Sequence, residues 1–443
     1  MADDKKTNSG NISARSFITA IIVIAVLMVL TYILVLLLPG CDISFGKWIL
    51  SPFLVLGAEG SATIIAVIAF LLIIGGVFNC LEICGLIGYM LDKIAGKFGA
   101  AKYKFLAVVM FFFMAIGAMI GSFEEVVPLV PIVVALAVKL GWDVLTGMGM
   151  SLLAVGCGFA SGVFNPFTVG VAQELAGLPM FSGVGMRAVS FVLIYALLWL
   201  FVRSHAKRID KGIAPMSEDN GFVADKNLDL GLKLFGGILG LGILLVLCSS
   251  FITFLQDFTL PIVALMFLLA GIFSSFACKM SGKDFGKGML KGLVNMLPAV
   301  AMILMASSIK YTLDTAGALD LILNKAIVIA QSMPKWEVIL FIYLIVLVMN
   351  FFIASGSAKA FMLIPLIVPL AKVFGISAQL CILAFAFGDG FSNVFYPTNP
   401  VLLISLGLAD ISYGDWVKYS GKFQLANLVL SSCLLLIGLA VGY

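Results

Sequence analysis

Long apolar runs alternate with short polar stretches along the chain. A helix needs about 20 apolar residues to cross the hydrocarbon of a bilayer. Runs of that kind occupy roughly 16–39, 60–80, 183–203, 232–255, 259–278, 293–312 and 415–441. Two further regions, about 103–176 and 336–408, are too long for one span and are broken by small and polar residues. The first run, Ser16 to Pro39, exceeds a signal-peptide core and has no small-residue cleavage site, so it reads as a retained span. Composition agrees. Of the 443 residues, 62% are hydrophobic and 11% charged, against about 45–50% and 25% in soluble domains. One water-facing core cannot bury that surplus, so the pattern predicts an all-α polytopic membrane protein.

The two long regions resemble each other. PLVPIVVALAVKLG at 128–141 has a counterpart in LIPLIVPLAKVFG at 363–375. At a constant offset of 234, Pro131 falls on Pro365, Leu136 on Leu370, Ala137 on Ala371 and Gly141 on Gly375. The same offset carries Gly156 onto Gly390, Asn165 onto Asn399 and Pro166 onto Pro400. A gapless register across these landmarks points to internal duplication. Shared Gly/Pro punctuation in two apolar halves is the usual pointer to a transporter's binding site. Each copy reads as a re-entrant helical hairpin (about 103–140; 336–373) followed by a broken transmembrane helix (about 143–176; 377–408). A tail (1–15) precedes repeat 1 (16–203), and a linker (204–231) separates it from repeat 2 (232–443).

Charge placement orients this plan. With the N-terminus cytoplasmic, most of the 27 Lys and Arg residues fall on the inner side, as the positive-inside rule requires. The two hairpins then enter from opposite faces, which makes the repeats inverted.

The breaks, read at 156–165 and 388–399, carry the candidate chemistry. Unwound backbone in hydrocarbon leaves polar groups unpaired unless protein or a watery cavity satisfies them. Asn is a good N-cap and Pro suits the first helical position. Asn165-Pro166 and Asn399-Pro400 therefore read as starts of half-helices, whose free amides and positive dipole suit an anion. Carbonyls ending the preceding half-helix suit a cation. In GCGFASGVFNP the candidates are Ser161, Asn165 and the backbones of Gly156 and Gly158. In GDGFSNVFYPTNP they are Asp389, Ser392, Asn393, Thr398 and Asn399, with Tyr396 either structural or lining.

The hairpin tips add GSFEE at 121–125 and ASGSAK at 354–359. Ionisable groups inside a membrane are costly and face a cavity or a partner. Ser122, Glu124, Glu125, Ser355, Ser357 and Lys359 are thus candidates for substrate, with Glu124 and Asp389, beside Gly156 and Gly158, for a coupling ion. Either glutamate instead caps the second hairpin arm, and Lys359 instead pairs with an acid such as Asp389. An acidic tip meeting a Ser/Lys tip would suit a substrate bearing both amine and carboxylate, or a carboxylate plus a cation. Asn79 and Glu82 either line the same cavity or pack on a scaffold helix. The basic segment 281–296 reads as an interfacial helix or linker arm.

GSFEEVVPLVP, GxGFxxxxxNPF, SGSAKAFMLIPLIVPLAKVFGIS and FGDGFSNVFYPTNPVLLISLGLADISYGDW resemble the YfcC-type and C4-dicarboxylate anaerobic carrier family of the ion-transporter superfamily, over nearly the whole chain. That family also holds proteins named as arginine/ornithine or basic amino acid antiporters. The resemblance implies a homodimer in the plasma (inner) membrane, with a scaffold and a moving transport domain working as an elevator. Carboxylate carriers of the superfamily hold substrate and sodium with Ser-Asn-Thr tips. Residues 122–125 and 355–359 depart from that pattern, which leaves amino acids and other carboxylates open beside dicarboxylates.

The expectation is a secondary active transporter of a small carboxylate-bearing metabolite, coupled to Na+ or H+ or working by exchange, with basic amino acid antiport as the alternative. The expected partners are that substrate, the lipid bilayer and a second copy of the chain, and no nucleic acid. No cofactor is expected, and no metal other than Na+ as a coupling ion. His205 is the only histidine, which excludes a His-based metal site. No GxxxxGK[ST] loop marks a primary pump, and no Ser/His, HExxH or paired-aspartate motif marks an enzyme. A channel fits the re-entrant loops and is separated from a carrier by single-channel conductance.

Overall fold

The computed structural model describes residues 14–58, 61–121, 123–179, 181–210, 225–249, 259–330 and 332–443. Residues 1–13 of the tail, 211–224 of the linker, and Ser122 lie outside them. Helices α1 (Ala14–Leu37), α2 (Phe45–Leu54), α3 (Ser61–Ile83) and α4 (Leu86–Phe98) come first. A hairpin follows: α5 (Lys102–Ile120), a 3-10 turn at Glu124–Leu129, and α6 (Val130–Lys139). Next, α7 (Val144–Met148) passes through a π-helical stretch, Gly149–Leu153, into α8 (Ala154–Ser161). The chain unwinds over 162–165 and resumes in a π turn, Pro166–Gly170, and α9 (Val171–Leu175). Helices α10 (Val184–Ile209), α11 (Lys226–Ser249), α12 (Thr259–Ala277), α13 (Gly282–Thr315) and α14 (Ala318–Ala330) lead to a second hairpin, α15 (Lys335–Phe352) and α16 (Gly356–Val373). Then α17 (Ala378–Asn393) breaks at 394–399, and α18 (Pro400–Leu408) and α19 (Tyr413–Val441) complete the chain.

Local chemistry sets these bounds in the same way in both halves. Gly141 and Gly375 close the second hairpin arms with φ of 88° and 65°, a left-handed conformation cheap only for glycine. Asp143 caps the following helix by accepting from Thr146 N at 2.8 Å. Ser377, offset from Asp143 by the same 234 positions, caps its helix by accepting from Leu380 N at 3.1 Å.

The helices pack in two groups. The first joins α1, α2 and α3 to α11, α12 and α13. Small residues set its spacing: a side chain at Gly292 would collide with the Gly75 carbonyl, and Asn79 Nδ2 donates to Gly288 O at 2.8 Å. The interfacial arm expected at 281–296 and the span expected at 293–312 are one 34-residue helix, α13. Its first turn is fixed by Ser281, which accepts from Asp284 N at 3.1 Å, and the helix runs on through Pro298 without a break between arm and span.

The second group holds both hairpins and both broken helices, with α10 and α19 packed against them. Contact between the groups is sparser: α18 meets α1 and α13, and the Glu124–Leu129 turn meets α3 and α12. Apolar side chains such as Leu36, Phe53, Phe111, Val192, Phe273 and Leu425 are exposed on the outside. Water would penalise that surface and lipid does not. Among the described residues, eight helical segments are long and apolar enough to cross a membrane. The chain is a multi-pass integral membrane protein.

Candidate functional site

The two broken helices cross each other at glycines. A Cβ on Gly156 of α8 would lie 2.6 Å from Val394 Cγ1, at the end of α17. A Cβ on Gly390 of α17 would collide with Ala160 of α8. Position 156 plus 234 is 390, and 160 plus 234 is 394, so the two contacts are one contact made twice. Because 156 meets 394 and 160 meets 390, the helices run antiparallel. Each broken helix also packs on the first arm of its own hairpin. In the first half, Gly158 admits the Met114 carbonyl and Gly117 the Val155 carbonyl. In the second, Gly388 lies against Val346 and Tyr343 of α15. These glycines are helical, so the unwinding expected from Gly156 and from 388 begins only after Ser161 and Asn393. Packing between helices, not unwinding, is the work they do.

Beside this crossing lies a fully buried ion pair. Lys359, in the first turn of α16, places Nζ 2.5 Å from Asp389 Oδ1 of α17, and neither side chain has any solvent exposure. Lys359 Nζ also donates to Asn350 Oδ1 and, at 2.9 Å, to the Ile353 carbonyl just past the end of α15. Asn350 turns its amide nitrogen toward Asp389 O at 3.0 Å, Ser392 Oγ at 2.7 Å and Asn393 Oδ1 at 3.1 Å. Asn399 Nδ2 extends the network by donating to Asn393 Oδ1 at 3.0 Å. Charges at this depth survive only when paired and hydrogen-bonded.

Both Asn side chains cap the half-helices that follow them. Asn399 Oδ1 accepts from Val401 N at 2.9 Å and Leu402 N at 3.4 Å. Asn165 Oδ1 accepts from Thr168 N at 3.1 Å. The caps thereby take up the amides of Thr168, Val401 and Leu402, three of the donors in these first turns. Lys359 is the positive group left at the site.

The model of one family, "C4-dicarboxylate anaerobic carrier" (DcuC), matches residues 43–440. The chain belongs to that family. It is 28% identical over 401 residues to YfcC of Escherichia coli (strain K12), whose name proposes a basic amino acid antiporter; the match covers 86% of this chain and 79% of YfcC. A Haemophilus influenzae protein named only as uncharacterized is 24% identical over 390 residues, covering 86% of this chain and 75% of its own. The Alcanivorax borkumensis YdaH transporter structure aligns with a TM-score of 0.47 at 18% identity, covering 97% of this chain and 99% of its own. The Neisseria gonorrhoeae MtrF structure aligns at 0.45 and 15%, covering 94% of each.

Both hairpin tips of this family member reach the segment Phe159–Thr168. Any side chain at Gly121 would collide with the Asn165 amide. Phe123 stacks on Phe159 with centroids 4.6 Å apart. From the other tip, a Cβ on Gly356 would lie 3.5 Å from Phe159 Cζ and 2.7 Å from Asp389 Oδ2, and would collide with Thr168. Glu124 and Glu125 begin the 3-10 turn of the first tip, and their side chains lie outside the description. Ser355 accepts from Ala358 N at 3.4 Å and lies 3.5 Å from Ser357 Oγ. Ser161 donates to the Gly158 carbonyl at 2.6 Å. Thr398 Oγ1 and Thr168 Oγ1 are buried with no hydrogen-bond partner among the described residues. Tyr396 meets Phe351 edge to face at 5.4 Å. Asn79 and Glu82 belong to α3, in the other helix group. Among the described residues no group of His, Cys, Asp or Glu side chains is placed to hold a metal ion.

Asn350 and Thr168 join the site without a motif of their own, and Phe159 joins it as the aromatic of GxGFxxxxxNPF. Outside the motifs, the one signal was for Asn350. It is a lone amide near the end of an apolar run, and a polar side chain in a membrane helix faces a partner.

Proposed function

We propose that the chain is an elevator-type secondary transporter built from two inverted repeats. In this reading it moves a small carboxylate-bearing metabolite through the site where the hairpin tips meet the broken helices. The single observation that carries this reading is the reciprocal, antiparallel crossing of α8 and α17 beside the buried Lys359–Asp389 pair. A pseudo-two-fold axis in the membrane plane generates such doubled contacts, and it places the two hairpins in opposite faces. The sparse contact between the helix groups supports a scaffold of α1–α3 and α11–α13, and a moving body of hairpins and broken helices. A homodimer formed through the scaffold in the inner membrane, with the N-terminus cytoplasmic, completes the arrangement.

At the site, the serines of the second tip hold the substrate carboxylate in the positive field of Lys359, which stays seated on Asp389. An acid of the first tip holds an amine or the coupling ion. C4-dicarboxylates and amino acids both meet these demands, with an Na+ or H+ gradient or exchange as the drive. Basic amino acid exchange is the second reading, favoured by the buried carboxylate and by YfcC.

Solute counterflow in liposomes tests the proposal, with labelled C4-dicarboxylates, neutral amino acids and arginine or ornithine, with and without Na+. Saturable counterflow of at least one class is expected. Ohmic single-channel conductance without counterflow would replace the carrier by a channel.

A further inference from the structure

Among the described residues, the hydrogen-bonding and ion-pair partners of Lys359 Nζ are all oxygens. They make up its seat: a carboxylate (Asp389 Oδ1, 2.5 Å), a side-chain amide oxygen (Asn350 Oδ1) and a main-chain carbonyl (Ile353, 2.9 Å). Three oxygens match the three donors of an ammonium. The same set suits a hard metal cation, which takes carboxylate and carbonyl ligands. The Ile353 carbonyl lies just past the C-terminus of α15, where the helix dipole is negative. Asp389 Oδ2 accepts no hydrogen bond from the described residues and remains available as a further ligand.

Lys359 is poorly placed for any other purpose. A positive charge in the first turn of a helix opposes the dipole, and full burial removes the hydration an ammonium prefers. What offsets both costs is the seat itself. Resting on the reading of this site as the transport centre, we propose that the Lys359 ammonium is a tethered cation, seated where a monovalent metal ion such as Na+ would otherwise bind. The seat is then filled by the hairpin rather than from solution. Closing the tip of α15–α16 and neutralising Asp389 become one event. The wild-type carrier needs no Na+ at Asp389, and any ion it couples to binds elsewhere.

The test is thermal unfolding of the purified full chain in NaCl against choline chloride at matched ionic strength. Lys359→Gln should have a lower Tm than wild type in choline and recover it progressively with Na+, a response wild type lacks. Lys359→Arg keeps the tethered charge and should stay indifferent to Na+. The double variant K359Q/D389N has lost the charge of the seat and should be equally indifferent. An identical Na+ response in wild type and K359Q overturns the proposal. So does K359Q aggregating in both salts while K359Q/D389N folds, because a metal ion then cannot replace the ammonium. Lys359→Met, which keeps the apolar stem, decides the matter in the same assay should Gln disturb packing. This readout uses no substrate. A Na+ response gained by K359Q in a chain that shows no counterflow would leave the seat standing and remove only the transport reading.

Discussion

The two halves share a frame and differ in what lies at its centre. In the first, α5 crosses α8 through Gly117 and Gly158, with main chain against main chain. In the second, the equivalent crossing of α15 and α17 is polar. Ile116 is replaced by Asn350, Gly158 by Ser392, and Val155 by Asp389 at the 234-residue offset. Glu125 becomes Lys359 at the same offset. The Asn-Pro starts and the glycines of the central crossing are kept. Positions held in common build the crossing, and positions that diverged carry the chemistry. The charge pair therefore sits to one side of the crossing, within the second half.

The largest effect should come from breaking the pair that only the second half has. Removing one partner of a buried ion pair costs about 3–5 kcal/mol, because the other charge is left uncompensated. Asp389→Ala should lower Tm sharply, while Val155→Ala, its counterpart, should cost far less. The double variant K359M/D389L should regain most of the lost stability, since apolar replacement of a buried pair is often neutral, yet abolish counterflow. A stable but inactive double variant separates packing from chemistry.

The shared crossing comes next. Gly156→Val and Gly390→Val each drive a branched side chain into the opposite helix. Overpacking of this kind costs about 1–3 kcal/mol. Near-equal losses in Tm are expected if the two contacts are equivalent, and a strong inequality would show that the frame is not shared. The caps should show a smaller effect. Losing a capping Asn costs about 1 kcal/mol. Asn165→Ala and Asn399→Ala should each lower Tm by an amount of that order, and Asn399→Ala also breaks a bond to Asn393.

The smallest effect concerns pH at the matched helix starts. Burial pushes the Asp143 carboxyl up, but the bonds from His205 and Thr146 outweigh it and hold it below its usual range. A depressed carboxylate adds stability above its unfolded-state value and loses it as pH falls through the folded-state value. The side chain is 37% exposed, so screening keeps the amount small. Thermal unfolding should weaken slightly on acidification, and Asp143→Asn should flatten the slope. Ser377 at the equivalent position has no charge to titrate, so Ser377→Ala should leave the slope unchanged.

The all-α, membrane-spanning character was readable from hydropathy, because lipid demands long apolar helices and little else satisfies that demand. The carrier family was readable from the motifs around the tips and breaks. The inner geometry was less so. Gly156, Gly158 and Gly388 looked like places where helix stops, yet each is a place where helix continues and another backbone comes close. One-dimensional punctuation cannot separate those two uses of glycine. Asn350 lies near the end of an apolar run and belongs to no motif, so little in the sequence marks it. Its importance arises from Lys359 and Asp389, which are 9 and 39 positions away in sequence and meet it only in the fold.

The measurement that bears most directly on the central claim is the sidedness of the two hairpins. Lys104 and Lys335 are exposed near the starts of the first hairpin arms. Cysteine placed at each in turn, in a background lacking the native cysteines, can be labelled by a membrane-impermeant maleimide in right-side-out and inverted vesicles. Two inverted repeats predict that position 104 reacts from the inner face and position 335 from the outer. Labelling of both from one face would contradict the account.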